Sequence, residues 1–271
     1  MLSVLYREKI HIIACAVAAS WAWARLLGAP IAIAELCLVG CIVAFVYSLN
    51  RFSDRVEDLI NDPASLGHRN LYLVLGGSML GIIAALVSLR SAVCTLIGAV
   101  VLGLGVFYSL PILGFRLKQH WLTKNTSSAL GWSLLTVALP VLSRGLSAGP
   151  PFAVAFFYMF ASVLMIEILW DIRDRAGDSQ AGIKTLAALS ESWAWIALSL
   201  VNVFSVVVFA VFFLTQHPPR AWLLLGGSAS LLAVVCAASR WILPRLRPMS
   251  HHLVSAETAL LIALGLVARS S

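Results

Sequence analysis

Charge is scarce in this chain. Of 271 residues only 11% are charged and only twelve are acidic, whereas 61% are hydrophobic. A soluble domain of this length carries about a quarter charged residues, so a water-exposed globular surface is excluded. The mean hydropathy of +0.94 and repeated apolar runs of about twenty residues instead describe a polytopic, all-α membrane protein. Cysteine is sparse as well. Cys15, Cys37, Cys41, Cys94 and Cys236 all fall inside apolar runs, with no CxxC spacing, so neither a disulfide framework nor a thiolate metal site is expected. Cys37 and Cys41 share a helix face and read as packing residues. The histidines (His11, His68, His120, His217, His251, His252) have no partner at metal-ligand spacing, and no glycine-rich nucleotide loop is present.

The net charge of +7 does not indicate nucleic acid, because the basic residues are dispersed among short segments between apolar runs. Hydropathy divides the chain into nine spans over about 10–27, 30–49, 70–89, 92–109, 126–143, 151–170, 191–214, 221–239 and 252–268. One side receives fourteen Lys and Arg: Arg7, Lys9, Arg51, Arg55, Arg69, Arg116, Lys118, Lys124, Arg173, Arg175, Lys184, Arg240, Arg245 and Arg247. The other side receives five, namely Arg25, Arg90, Arg144, Arg220 and Arg269. The asymmetry orients the N-terminus and the longer loops toward the cytoplasm. The N-terminal apolar run is read as a retained first span, since no small-residue cleavage site clearly follows it.

Against this shortage, the acidic residues that exist are concentrated. Asn50, Asp54 and Asp58 recur every four residues at the end of the second span, and Asp171, Asp174 and Asp178 recur at three and four at the end of the sixth. On a helix each set lies along one face, and the topology brings both sets to the cytoplasmic side. Hard carboxylate and amide oxygens suit Mg²⁺, which keeps several waters and is shared with substrate phosphates. Two clusters can hold two Mg²⁺ ions around one diphosphate. Arg69, Arg116, Lys118 and Lys184 in the same loops then neutralise the remaining phosphate charge. The reading with no function is a pair of solvated, charged helix termini. Glu167, one turn before Asp171, is a carboxyl inside a membrane span; it reads as a base or acceptor contact, or as a hydrogen-bonded interfacial group. Glu35 is about 22 Å from Asn50 along the helix and is expected to make an outer-side structural contact. Trp132 and Trp170 either pack or present an aromatic face to a cavity. Gly98, Gly103 and Gly105 are expected to allow close helix contact.

These motifs resemble those of the UbiA superfamily of intramembrane prenyltransferases. The likeness is carried by NxxxDxxxD at Asn50–Asp58 and by D-I-R-D-x-x-G-D-x-x-x-G-x-x-T from Asp171 to Thr185. Between them, Tyr108-Ser109-Leu110-Pro111 followed by Leu117-Lys118 is similar to that family's Tyr…Leu-Lys motif. The resemblance covers essentially the whole chain, 1–271, as a single domain, with a possible 4+4 pseudo-repeat plus a ninth helix. It implies a nine-helix bundle with a central cavity open to lipid, Mg²⁺ held by both motifs, and ionisation of an isoprenyl diphosphate to an allylic carbocation. A small, commonly aromatic acceptor then captures the cation. By position, Asn50, Asp54 and Asp58 would serve one ion and Asp174 and Asp178 the other. Asp171 would support the second ion or act near the acceptor, and Tyr108 and Lys118 would contact the diphosphate or shield the site. The chain departs from the family pattern at Arg51, where the motif commonly reads Asn-Asp, and at Asn70, where Arg-Pro is common. Two other functions were weighed. A terpene cyclase of the same family would need no acceptor, and a transporter or lipid-binding protein would line a path across the bilayer with polar groups.

Overall fold

The computed structural model describes residues 10–54, 71–112, 114–180 and 182–216, with Trp222 and Ala263. Long apolar runs leave each backbone N–H and C=O to be satisfied within its own segment, so the spans form helices. They are α1 (Ile10–Leu26), α2 (Ile33–Ser53), α3 (Leu71–Leu89), α4 (Ala92–Ser109), α5 (Trp121–Ser133), α6 (Leu139–Leu142), α7 (Pro150–Gln180), α8 (Leu186–Leu189) and α9 (Glu191–Gln216). A 3₁₀ turn, Leu117–Gln119, precedes α5, and a π-helical segment, Leu134–Ala138, joins α5 to α6. Helices α2, α3, α4, α7 and α9 are each long and apolar enough to cross a bilayer, and α1 is a shorter apolar helix. The first seven expected spans thus all appear as helix, the fifth as a composite of α5, the π segment and α6. The expected spans 221–239 and 252–268 lie outside the described residues.

Local chemistry sets several helix ends. Ser91 Oγ accepts from the Cys94 N–H at 3.3 Å and caps α4. Glu35 reaches back to accept from the Ala32 N–H at 2.7 Å at the head of α2. α7 overruns its apolar stretch by ten residues, which corrects the expectation of a loop after residue 170. No proline occurs in Asp171–Gln180, and Gly177 is carried within the helix. The helix stops only where Gly182 adopts φ +73°, with Ile183 N–H donating to Asp178 O at 2.8 Å and Gly182 N–H to Ser179 O at 3.3 Å. This paired arrangement is a Schellman stop. Thr185 then caps α8 by accepting from the Ala188 N–H at 3.0 Å. The Gly and Thr of the second motif are therefore backbone punctuation.

Two apolar clusters hold the bundle. One joins α1 and α7 to α9 through Ala19, Trp23, Ala155, Tyr158 and Phe209; the other joins α1, α2 and α4 through Ile12, Leu38, Ile42, Cys94 and Val101. Trp132, Phe152 and Phe156 pack against both. Large apolar side chains such as Leu73 and Leu80 on α3 and Leu200 and Val203 on α9 stay exposed, as lipid-facing positions require.

Small residues let helices approach. A Cβ at Gly81 would lie 2.5 Å from Cys41 Sγ, so Cys41 is a packing residue, and a Cβ at Gly105 would lie 2.5 Å from Val46 Cγ2. Gly98 stands against Ile42 at an ordinary 3.5 Å, whereas nothing lies within 4 Å of a Cβ at Gly103. Val46 is β-branched and stiff at χ1. Gly105→Ala should therefore destabilise the protein by about 1–2 kcal/mol, while Gly103→Ala should be neutral or stabilising. Thermal unfolding of the two detergent-solubilised variants checks the contrast.

Candidate active site

Four chain segments meet at one end of the bundle. The C-terminus of α2 brings Asn50 and Asp54. α4 ends with Tyr108, and the connection after it carries Arg116 and Lys118. The first turns of α5 contribute Lys124, Asn125 and Ser128. The last turns of α7 carry Glu167, Asp171, Asp174 and Asp178. Asp58 and Arg69, also expected at this site, lie outside the described residues.

Asp54 closes α2 as its C-cap, its N–H donating to Asn50 O at 3.0 Å. Its carboxylate is buried and takes Lys118 Nζ at 2.5 Å, Arg116 Nη1 at 3.5 Å and the Ser53 hydroxyl at 3.2 Å. Across the site, Lys124 Nζ lies 2.7 Å from Asp171 Oδ1 and 3.1 Å from Asp178 Oδ2. The Asn125 amide donates to the other oxygen of Asp171 at 2.9 Å. One turn deeper the Ser128 hydroxyl donates to Glu167 Oε1 at 2.5 Å. Lys124, Asn125 and Ser128 line one face of α5, and Glu167, Asp171 and Asp178 line the facing stripe of α7. The antiparallel helices are thus laced from the membrane interior outward.

Asp174 behaves differently. It is one-quarter exposed and is gripped by its neighbour Arg173 at 2.7 and 2.5 Å. Arg173 also sits 5.7 Å above the Trp170 ring. The structure therefore joins Asp171 and Asp178 through one ammonium and leaves Asp174 beside them. Lys184 contributes its backbone: its N–H donates to Gln119 O at 3.1 Å and ties the segment after α7 to the start of α5. Its side chain is exposed. Tyr108 stands in the last turn of α4, just before the connection that carries Arg116 and Lys118.

Lys124 is buried, and Asp171 and Asp178 balance its ammonium. At the opposite end of the bundle, the fully buried Glu35 accepts from Arg144 at 2.7 Å and Ser143 at 2.7 Å. It makes the structural contact expected of it, at the end of the bundle away from the aspartate motifs.

A model of the UbiA prenyltransferase family matches residues 11–246. The chain belongs to this family. Solved structures share its fold at low identity. A UbiA homolog from Archaeoglobus fulgidus bound to GPP and Mg²⁺ superposes with a TM-score of 0.74 at 18% identity, covering 98% of this chain and 99% of that one. The apo UbiA homolog from Aeropyrum pernix K1 gives 0.74 at 15% identity, covering 95% and 98%. A digeranylgeranylglyceryl phosphate synthase gives 0.63 at 15%, covering 97% and 95%. Among curated proteins none matches closely enough to count as a relative.

The donor set of this UbiA-family protein fits Mg²⁺. All its candidate ligands are hard oxygens, and the buried Asn50 Oδ1 has no hydrogen-bond partner among the described residues. Asn125 Oδ1 is in the same condition. Among the described residues no three His, Cys, Asp or Glu side chains stand close enough to enclose an ion by themselves. Sequence reasoning missed Lys124, Asn125 and Ser128 as site residues. Lys124 entered only the topology count, although the polar spacing of Lys124, Asn125 and Ser128 at the head of an apolar span was a usable signal.

Proposed function

We propose that this UbiA-family protein transfers an isoprenyl group from its diphosphate to a small aromatic acceptor, with Mg²⁺, at the cytoplasmic face of a membrane. One observation carries the reading. Lys118 and Lys124, six residues apart in the chain, hold carboxylates from both aspartate motifs, so the motifs serve one site. Relatives solved with GPP or DMAPP and Mg²⁺ support it.

Asn50, Asp54 and Asp58 would hold one ion, and Asp174 and Asp178 would hold a second. Bound Mg²⁺ supplies positive charge that stabilises the departing diphosphate. Arg69, Tyr108, Arg116, Lys118 and Lys184 bind that diphosphate and fix its orientation. The allylic C–O bond breaks with its electron pair leaving on the diphosphate, and the acceptor ring forms the new bond to the allylic carbon. Asp171 and Glu167 receive the proton that the ring loses. The prenyl chain lies in a central cavity between the helices. Basic residues concentrated on the motif side orient that side toward the cytoplasm.

The test is a screen of isoprenyl diphosphates of graded length against phenolic acceptors, with a control lacking acceptor, read by mass spectrometry. A Mg²⁺-dependent product of acceptor plus prenyl group is expected. Cyclic hydrocarbon or alcohol in the control would assign a cyclase instead. No diphosphate release at any chain length would remove the enzymatic reading.

A further inference from the structure

Both aspartate clusters already carry a cation, and both cations come from one short stretch of chain. Lys118 sits on Asp54 at 2.5 Å. Lys124, buried with both its partners, spans Asp171 and Asp178 at 2.7 and 3.1 Å. Asn125 occupies the remaining oxygen of Asp171 at 2.9 Å. A divalent ion binds carboxylate oxygens at about 2.0–2.1 Å, which would set it within a few ångströms of the ammonium on the same buried carboxylates. The two cations repel each other, so binding of the ion favours release of the ammonium. A buried cation that loses its carboxylates without finding another anion is strongly destabilised. Diphosphate is such an anion, and Lys124 needs only to swing along its flexible stem to meet it.

We propose that Lys124 is a positioning residue that makes binding of metal and diphosphate mutually dependent at the second cluster. In the diphosphate-free protein its ammonium occupies Asp171 and Asp178. When diphosphate arrives, the ammonium passes to the phosphate oxygens and frees Asp178 for the ion and Asp171 for its place beside the acceptor. The inference rests on the proposed function, because it needs metal and diphosphate to share the site. Linkage then requires equal coupling in both directions: each ligand tightens the other by the same factor.

Mn²⁺ as the metal probe and inorganic diphosphate as the anion test this without turnover, by paramagnetic resonance of free Mn²⁺ corrected for the Mn²⁺–diphosphate complex. Wild-type protein should bind Mn²⁺ weakly alone and about tenfold or more tightly with diphosphate. Lys124→Met should bind Mn²⁺ alone about tenfold more tightly than wild type and lose most of the coupling. Lys124→Arg, which keeps the charge, should behave as wild type. Lys124→Gln is read in the same way should Lys124→Met not fold. Unchanged Mn²⁺ affinity in the neutral variant, or no coupling in wild type, overturns the proposal. Consumption of an isoprenyl diphosphate by the same wild-type preparation is measured separately. Coupling without consumption removes the prenyltransferase reading; consumption without coupling removes only the role of Lys124.

Discussion

Asp54→Asn should lower Mg²⁺-dependent turnover of an isoprenyl diphosphate by about 10²–10³-fold, the scale of losing one oriented charge at a reacting group. Asparagine keeps the shape of the side chain and removes its charge. The same change leaves Lys118 and Arg116 facing a neutral group in a buried position, which costs about 3 kcal/mol or more of stability. Loss of activity alone would therefore be ambiguous. The double variant Asp54→Asn with Lys118→Gln separates the effects, because it removes the closer ammonium with the carboxylate, leaves only Arg116 at the longer distance, and should recover part of the stability without recovering turnover. Rates are normalised to protein that elutes as a folded species, and unfolding midpoints are recorded in parallel. Full Mg²⁺-dependent turnover by folded Asp54→Asn protein would show that this carboxylate is no part of the metal site.

A second large effect is expected far from the chemistry. Arg144→Met should destabilise the protein by about 3 kcal/mol, the lower end of the range for breaking a buried ion pair. Glu35 is only 1% exposed and, among the described residues, keeps the Ser143 hydroxyl and the Ala32 N–H as partners. The lower end applies because the Arg144 side chain is itself 34% exposed and water already screens part of the attraction. The pair joins the head of α2 to the segment leaving α6, at the opposite end from Asp54. Turnover per folded molecule should therefore stay near that of wild type while the unfolding midpoint falls by several degrees. An equal loss of turnover per folded molecule would show that the outer end communicates with the motifs.

The spans were legible because hydropathy reports where lipid is, and seven of the nine coincide with helices in the described residues. Helix ends were less legible for the same reason. DIRDRAGDSQ is too charged to score as part of a span, yet it remains helical to Gln180. Lys124 and Asn125 on α5 compensate two of its carboxylates, and no left-handed residue interrupts it before Gly182. Likewise α5 starts at Trp121, before its apolar run, because its first turns face those carboxylates. The two acidic clusters were found from spacing alone. That one connection supplies both their counter-cations depends on a fold that lays this connection between α2 and α7, and no periodicity reports that.

The π-helical segment Leu134–Ala138 closes with Leu139 N–H donating to Leu134 O, five residues back. That wider turn absorbs one residue more than a regular turn and so offsets the direction of every later side chain by about 100°. Above it, α5 packs chiefly on α7, while the segment itself packs on α1. One continuous rod thus serves two neighbours, with its polar stripe aimed at the carboxylates and its apolar stripe at the bundle's first helix. Removing one residue between 134 and 138 would restore a regular helix yet set these two stripes out of phase. The polar half and the apolar half could then not both find their partners, so the chain length of this single turn acts as a timing mark for the whole rod.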